Sequence, residues 1–167
     1  MRKICILCLF IGTILSCNEQ KKEVTKTQEK KEFVFDTTKL PKKQKVDTKS
    51  WAILKNWNEF NAVIVNMDQL YKVKYEEDLT SSLDALISTL KNIQKSTYPK
   101  EFDKPQIKSR LKVLETYILK TKATIAYKTP SFEPATELIN AYNAYINQFA
   151  VVINNTLDTK LLLDDEE

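Results

Sequence analysis

Hydrophobic residues recur at alternating steps of three and four along most of the chain, which is the period of an amphipathic α-helix. Four such runs cover residues 53–71, 79–97, 107–125 and 135–152. Neighbouring apolar residues widen each run, so the apolar face suits a bundle core better than a narrow two-stranded seam. The pattern therefore predicts an all-α domain built from four helices.

Residues that begin and end helices stand between these runs. Asp47, Thr48 and Ser50 are candidate N-caps before the first helix, and Asp103 and Ser131 are candidates before the third and fourth. The prolines that follow residue 50 all lie in the connections: Pro99, Pro105, Pro130 and Pro134. Short connections make consecutive helices antiparallel neighbours. We therefore expect an up-down-up-down four-helix bundle over residues 50–160.

The first connection carries the weakest stop signal. Val73, Lys74 and Tyr75 include neither glycine nor proline, and the apolar steps could continue through them as one helix. Such a helix would be several times longer than the usual length of about 11–12 residues. We predict a turn near Lys74, with the continuous helix as the alternative.

The N-terminus has the pattern of a secretory signal peptide. Two basic residues precede the uncharged apolar stretch 4–15, which is shorter than the roughly 20 residues that a membrane-spanning helix needs. Ile14-Leu15-Ser16-Cys17 resembles a bacterial lipobox, with an aliphatic residue, a small residue and then the cysteine. The resemblance implies cleavage between Ser16 and Cys17, removal of residues 1–16 and lipidation of Cys17. The alternative is an ordinary signal peptide with a chance cysteine.

Two further features bear on localisation. Asn18 stands where an aspartate would resemble an inner-membrane retention signal, which favours the outer membrane of a bacterial cell envelope and leaves the leaflet open. The segment 102–115 is similar to a stretch found in uncharacterised envelope lipoproteins. That likeness implies a lipoprotein and no particular activity.

Residues 17–49 have the composition of a flexible, lipid-anchored linker. From Asn18 to Lys49 there are ten lysines against six acids and few large apolar residues, too few to offset the entropy of ordering. Phe33-Val34-Phe35 is the exception, and it would either pack on the domain or form a short binding epitope. At the other end, residues 161–167 read as an acidic tail.

The composition excludes several classes of chemistry. The chain has no histidine, and its single glycine, Gly12, lies in the signal peptide together with Cys5 and Cys8. Histidine-dependent catalytic triads, histidine-ligated metal sites and glycine-rich phosphate loops are therefore excluded. We expect no cofactor and no metal. From Ser50 onward fourteen bases face sixteen acids, which argues against nucleic-acid binding.

Arg110 is the only arginine after the signal peptide. Its planar guanidinium suits a geometrically defined pair with a carboxylate. Since Arg110 flanks the apolar face of the third run, we predict a structural interhelical ion pair with Asp84 or Glu77.

Several aromatic residues are candidates for surface or pocket positions. The helical period places Trp57 and Phe60 in the core. Trp51, Tyr117 and Tyr127 are the candidates for an exposed position or a pocket wall, although tyrosines often bury their rings and leave only the hydroxyl in water.

Two hypotheses for function follow. The first is a non-catalytic, lipid-anchored module that binds a protein, a lipid or a wall polymer in the envelope. The alternative is an envelope hydrolase that uses carboxylates and tyrosines, which requires two acids within about 10 Å of each other in one pocket. No residue is assigned a catalytic role from the sequence, and the oligomeric state stays open.

Overall fold

The computed structural model describes the backbone of residues 35–164 and the side chains of residues 35–155. A short 3-10 turn, Thr37–Lys39, precedes the α-helices of this region. These helices are α1 (Thr48–Leu54), α2 (Asn58–Leu70), α3 (Glu76–Lys95), α4 (Pro105–Ala126) and α5 (Phe132–Asp164). Since no strand occurs among these residues, the prediction of an all-α fold is confirmed.

The helices pack mostly in chain order around one core. α2 lies against α3, α3 against α4 and α4 against α5, while α1 contacts α5. Every helix from α2 to α5 contributes fully buried residues at the predicted positions, for example Phe60, Leu83, Leu114 and Tyr145. The rings of Phe60 and Phe102 both meet Phe149 edge-on, at centroid distances of 5.2 and 5.0 Å. The core position predicted for Trp57 and Phe60 is confirmed.

The region predicted as the first helix consists of two helices, so the prediction of one continuous helix there was wrong. α1 ends at Leu54, and Trp57 has an extended backbone with φ −97° and ψ 98° before α2 begins. The backbone N–H of Trp57 donates to the carbonyl of Leu54 at 2.9 Å and closes the turn. Leu54 and Trp57 are both buried, so the apolar period runs through the break without marking it.

The predicted turn near Lys74 is confirmed, because α2 ends at Leu70 and α3 begins at Glu76. The first turn of α3 carries Glu76, Glu77 and Asp78. Their negative charge is favourable beside the positive end of the helix dipole.

The predicted helix caps have mixed outcomes. Of the three candidates before α1, Asp47 is confirmed as the N-cap, since its carboxylate accepts the backbone N–H of Ser50 at 3.0 Å. Thr48 and Ser50 instead lie within α1. The prediction that Asp103 caps α4 is wrong, because Lys104 holds the N-cap position. The Asp103 carboxylate instead pairs with Lys108 at 2.5 Å. Ser131 precedes α5, yet its hydroxyl has no hydrogen-bond partner among the described residues.

Residues 35–47, which we call the strap, lie against the helices. Phe35 and Leu40 are buried, and the backbone N–H of Phe35 donates to the carbonyl of Lys74 at 2.9 Å. These residues fall within the flexible linker expected over residues 17–49, and they pack on the helices because two large apolar side chains are buried in the core. Phe33 and Val34 lie outside the described residues, as does the linker before them.

The far end of the domain also differs from expectation. The backbone of α5 continues to Asp164, past the boundary at residue 160. The remainder of the acidic tail, residues 165–167, lies outside the described residues.

Candidate functional site

A polar cleft of about 440 Å³ opens between the end of α3 and the first turns of α4. Most of the residues around it carry hydroxyl, amide or charged groups. They are Gln94, Ser96, Thr97, Tyr98, Asp103, Lys108, Leu111 and Lys112. We call this feature the polar cleft.

Trp57 and Tyr98 fix one side of the polar cleft. The indole N–H of Trp57 donates to the hydroxyl of Ser96 at 3.0 Å, and that hydroxyl donates to the carbonyl of Ile93 at 2.9 Å. The ring of Tyr98 lies 4.6 Å from the Trp57 ring and 5.2 Å from the ammonium of Lys108. The break before α2 thus positions an indole that anchors the connection between α3 and α4.

Two lysines of the polar cleft are each paired with a carboxylate. Besides the pair between Lys108 and Asp103, Lys112 meets Glu115 at 2.9 Å. Gln94 joins the second pair, since its amide nitrogen donates to Glu115 at 3.0 Å and its amide oxygen accepts from Lys112 at 3.2 Å. Each ammonium group of the polar cleft is therefore paired with a carboxylate, Asp103 in the lining and Glu115 next to it.

The protonation states of two groups follow from their surroundings. The hydrogen bond from Lys112 lowers the pKa of Glu115, with a further contribution from Gln94. Burial raises the pKa of Tyr98, and the negative charge of Asp103 adds to that rise. At neutral pH Glu115 is an ionised acceptor and Tyr98 a neutral hydroxyl.

A second, smaller depression of about 270 Å³ lies under the strap. Its lining combines two lysines with apolar and aromatic side chains, namely Lys43, Gln44, Lys45, Val46, Trp51, Ile64 and Tyr142. We call it the strap depression. Trp51 is 43% exposed, so the exposed position predicted for it is confirmed.

Tyr71, directly after α2, and Asn143 on α5 hold the strap by its backbone. Asn143 accepts the N–H of Gln44 at 2.7 Å and donates to the carbonyl of Lys42 at 3.0 Å. The hydroxyl of Tyr71 donates to the carbonyl of Pro41 at 2.5 Å. The ammonium of Lys43 pairs with Asp68, which adds a charged contact between the strap and α2.

The ion pair predicted for Arg110 does not form within residues 35–155. Arg110 lies exposed on α4 beside Pro105, Gln106 and Gln148, and Asp84 pairs with Lys122 instead. The reason is register: the hydrogen bond from Gln94 to Glu115 and the pair of Asp84 with Lys122 show that α3 and α4 run antiparallel. Arg110 therefore lies level with the C-terminal end of α3, far along that helix from Asp84 and Glu77.

The other predicted aromatic residues do not meet in one site. Tyr117 is half-buried with the ammonium of Lys120 5.7 Å from its ring centroid, and Tyr127 is 80% exposed. Neither lines the polar cleft or the strap depression. Ser16 and Cys17 lie outside the described residues, so the predicted lipidation site stays a prediction.

The polar cleft was not predicted from the sequence. Its residues come from the end of one helix, an irregular connection and the start of the next helix, where no apolar period orders them. The one available signal was Tyr98 between Thr97 and Pro99, an aromatic residue in a short polar connection.

Comparison with protein families, with curated proteins and with solved structures gave no match. Among the described residues, no group of three or more cysteine or acidic side chains is arranged to hold a metal ion. In the same part of the chain, no helix has the length and apolar content that crossing a bilayer requires.

Proposed function

We propose that this protein is a lipid-anchored, non-catalytic module of the bacterial cell envelope that binds the wall polymer through the polar cleft. Its domain is a four-helix bundle in which α1 and α2 together take the place of the first helix. Cys17 carries the lipid and holds the domain at the membrane. Asn18, in place of a retention aspartate, favours the outer membrane.

The lipobox resemblance supports the anchor. Cleavage before Cys17 leaves a cysteine whose acyl chains contribute about 0.8 kcal/mol for each buried CH₂ group, so several chains give stable attachment. The basic residues before the apolar stretch 4–15 agree with export.

The chemistry of the polar cleft carries the proposal for its ligand. Two ammonium groups, one carboxylate, an amide and several hydroxyls line a space that admits one sugar or amino-acid unit. A second carboxylate, that of Glu115, is bonded to the lining amide of Gln94. A wall polymer built from sugars and short peptides offers the complementary hydroxyl, amide, amine and carboxylate groups. Such polar convergence is a poor match for a lipid tail, which favours apolar walls.

An envelope hydrolase is the second candidate, because Asp103 and Glu115 both belong to the polar cleft or contact it. General acid catalysis by a carboxylic acid needs a raised pKa. The pKa of Glu115 is lowered by its hydrogen bonds, and Asp103 is ion-paired with Lys108. These features support binding over hydrolysis.

Co-sedimentation of the detergent-solubilised full chain with purified, insoluble wall polymer tests the proposal. The double variant Lys108→Gln with Lys112→Gln lacks both ammonium donors. We expect its affinity for the polymer to fall at least tenfold, because hydrogen bonds to charged groups contribute about 1.5–3 kcal/mol each. Circular dichroism verifies that the variant is folded.

The matched control is Lys120→Gln with Lys122→Gln, which removes two ion-paired lysines from the other end of the same helix. It should bind the polymer like the unaltered chain. Equal losses in both variants, or binding unchanged by the first, would contradict a site at the polar cleft. Release of soluble fragments from the polymer would favour the hydrolase.

A further inference from the structure

We propose that the face formed by Lys42, Lys45, Lys49 and Trp51, which we call the strap face, docks on an anionic lipid bilayer. This contact is additional to the covalent anchor. It would fix the orientation of the domain on the membrane rather than only its distance from it.

Positive charge is concentrated in this part of the described chain. Residues 39–49 hold five lysines and one acid, Asp47, a sum of +4, whereas residues 50–167 hold fourteen bases and sixteen acids, a sum of −2. Lys39 pairs with Asp36 and Lys43 pairs with Asp68. The excess charge therefore belongs to the three remaining lysines.

Those three lysines are available to an external anion. Lys42 and Lys45 are exposed and form no ion pair within residues 35–155, and Lys49 reaches only the amide oxygen of Asn154, at 3.4 Å. Each lysine close to an anionic membrane surface strengthens attachment about fivefold.

The strap holds Lys42 and Lys45 in place, and Lys49 belongs to α1. Because Asn143 and Tyr71 bind the strap through its backbone carbonyl and N–H groups, the side chains of Lys42 and Lys45 are not consumed by the attachment. The charges are thus presented from a fixed segment of the domain.

Apolar surface lies directly beside the charge. Lys45 and Trp51 line the strap depression together with Val46 and Ile64. Tryptophan is enriched at the membrane interface, where its ring meets the acyl chains and its N–H meets the headgroups. A lysine next to an exposed indole and an apolar depression matches the boundary between phosphate and hydrocarbon.

The position of the strap in the chain favours the same occupant. Seventeen residues, 18–34, separate Cys17 from the strap, and even fully extended they span at most about 60 Å. The closeness of the strap to the membrane rests on the proposed lipid anchor, whereas the positive charge and the exposed indole are independent of that anchor.

Tryptophan fluorescence tests the docking, because the chain has two tryptophans and only Trp51 is exposed. The full chain, purified from bacterial membranes, is reconstituted into vesicles of brominated phosphatidylcholine with or without phosphatidylglycerol. We expect quenching of Trp51 in the anionic vesicles, little quenching in the neutral ones, and none in Trp51→Phe, whose remaining indole, Trp57, is 4% exposed.

Charge variants identify the surface involved. Lys42→Gln with Lys45→Gln should lower the docking equilibrium constant about 30-fold, while Lys95→Gln with Lys100→Gln, two exposed lysines outside the strap, should leave it unchanged. Equal quenching in neutral vesicles, or equal effects of the two double variants, would overturn the proposal.

The outcomes separate docking from anchoring. If the chain stays attached to every vesicle but Trp51 is quenched in none of them, the lipid anchor is supported and the docking proposal is overturned. Attachment of Cys17→Ala equal to that of the unaltered chain overturns the anchor, and quenching of Trp51 that depends on phosphatidylglycerol would still support the docking.

Discussion

The side-chain oxygen of Asn143 accepts a hydrogen bond from the backbone N–H of Gln44 at 2.7 Å. The nitrogen of the same amide donates to the carbonyl of Lys42 at 3.0 Å. One side chain of α5 therefore satisfies two backbone groups of a segment that its own composition would leave unfolded. This contact joins the strap to the domain and fixes where the chain from the N-terminus arrives.

Replacement of Asn143 should loosen the strap. Asn143→Ala removes two hydrogen bonds of about 1 kcal/mol each, so the free energy of unfolding should fall by roughly 2 kcal/mol in urea titrations. Trypsin should also cleave after Lys42, Lys43 and Lys45 faster than in the unaltered chain. Asn147→Ala, at an exposed position one turn later on α5, should change neither measurement, and equal effects of the two substitutions would count against the role of Asn143.

Removal of the Tyr145 hydroxyl should increase stability. That hydroxyl is fully buried in the core and has no hydrogen-bond partner among the described residues. An unpaired buried hydroxyl is costly, so Tyr145→Phe should raise the free energy of unfolding by about 1 kcal/mol.

Tyr71→Phe is the matched comparison, because it deletes the hydroxyl that donates to Pro41. The free energy of unfolding should fall by about 1 kcal/mol. Urea titrations of both variants measure the two effects, and a change of the same sign in both would show that the two hydroxyls do not differ as the structure indicates.

Alkaline pH should destabilise the domain through its buried tyrosines. Burial raises the pKa of Tyr142, with the charges of Asp68 and Tyr71 adding to the rise, and burial also raises the pKa of Tyr145. In the unfolded chain both return to about 10. Above that pH the unfolded state has lost protons that the native state keeps, so the free energy of unfolding falls as pH rises.

Urea midpoints between pH 8 and pH 11.5 measure this dependence. Stability should hold up to about pH 10 and decline beyond it. The variant with Tyr142→Phe and Tyr145→Phe should decline less steeply. An identical decline in the variant would assign the effect to other groups.

The apolar period predicted α3, α4 and α5 because one face of each helix is buried along its length. The same period concealed the break between α1 and α2, since Leu54 and Trp57 are buried on both sides of it. A period reports which residues face the core, and it carries no information on whether the backbone between them stays helical.

The polar cleft and the strap depend on contacts between distant parts of the sequence. Lys112 and Gln94 form a network only because α3 and α4 pack in one register. The strap is ordered through Asn143, whose partners lie about a hundred residues away, in addition to the burial of Phe35 and Leu40. Local composition predicted a flexible segment because it contains none of this information.

Arg110→Lys should leave stability within about 0.5 kcal/mol of the unaltered chain, because exposed positions without specific partners tolerate substitution. Asp47→Ala, which removes the cap of α1, should by contrast lower the free energy of unfolding by about 1 kcal/mol. A larger loss of stability in Arg110→Lys than in Asp47→Ala would contradict the exposed position of Arg110, unpaired within residues 35–155, and support the ion pair predicted from the sequence.

The lipid anchor at Cys17 is the central claim about this protein, and mass spectrometry of the N-terminal peptide from bacterially expressed chain tests it most directly. We predict a peptide that begins at Cys17 and carries the mass of a diacylglyceryl group, together with loss of radiolabelled palmitate in Cys17→Ala. A peptide that begins elsewhere with Cys17 unmodified, or palmitate retained in Cys17→Ala, would contradict the account.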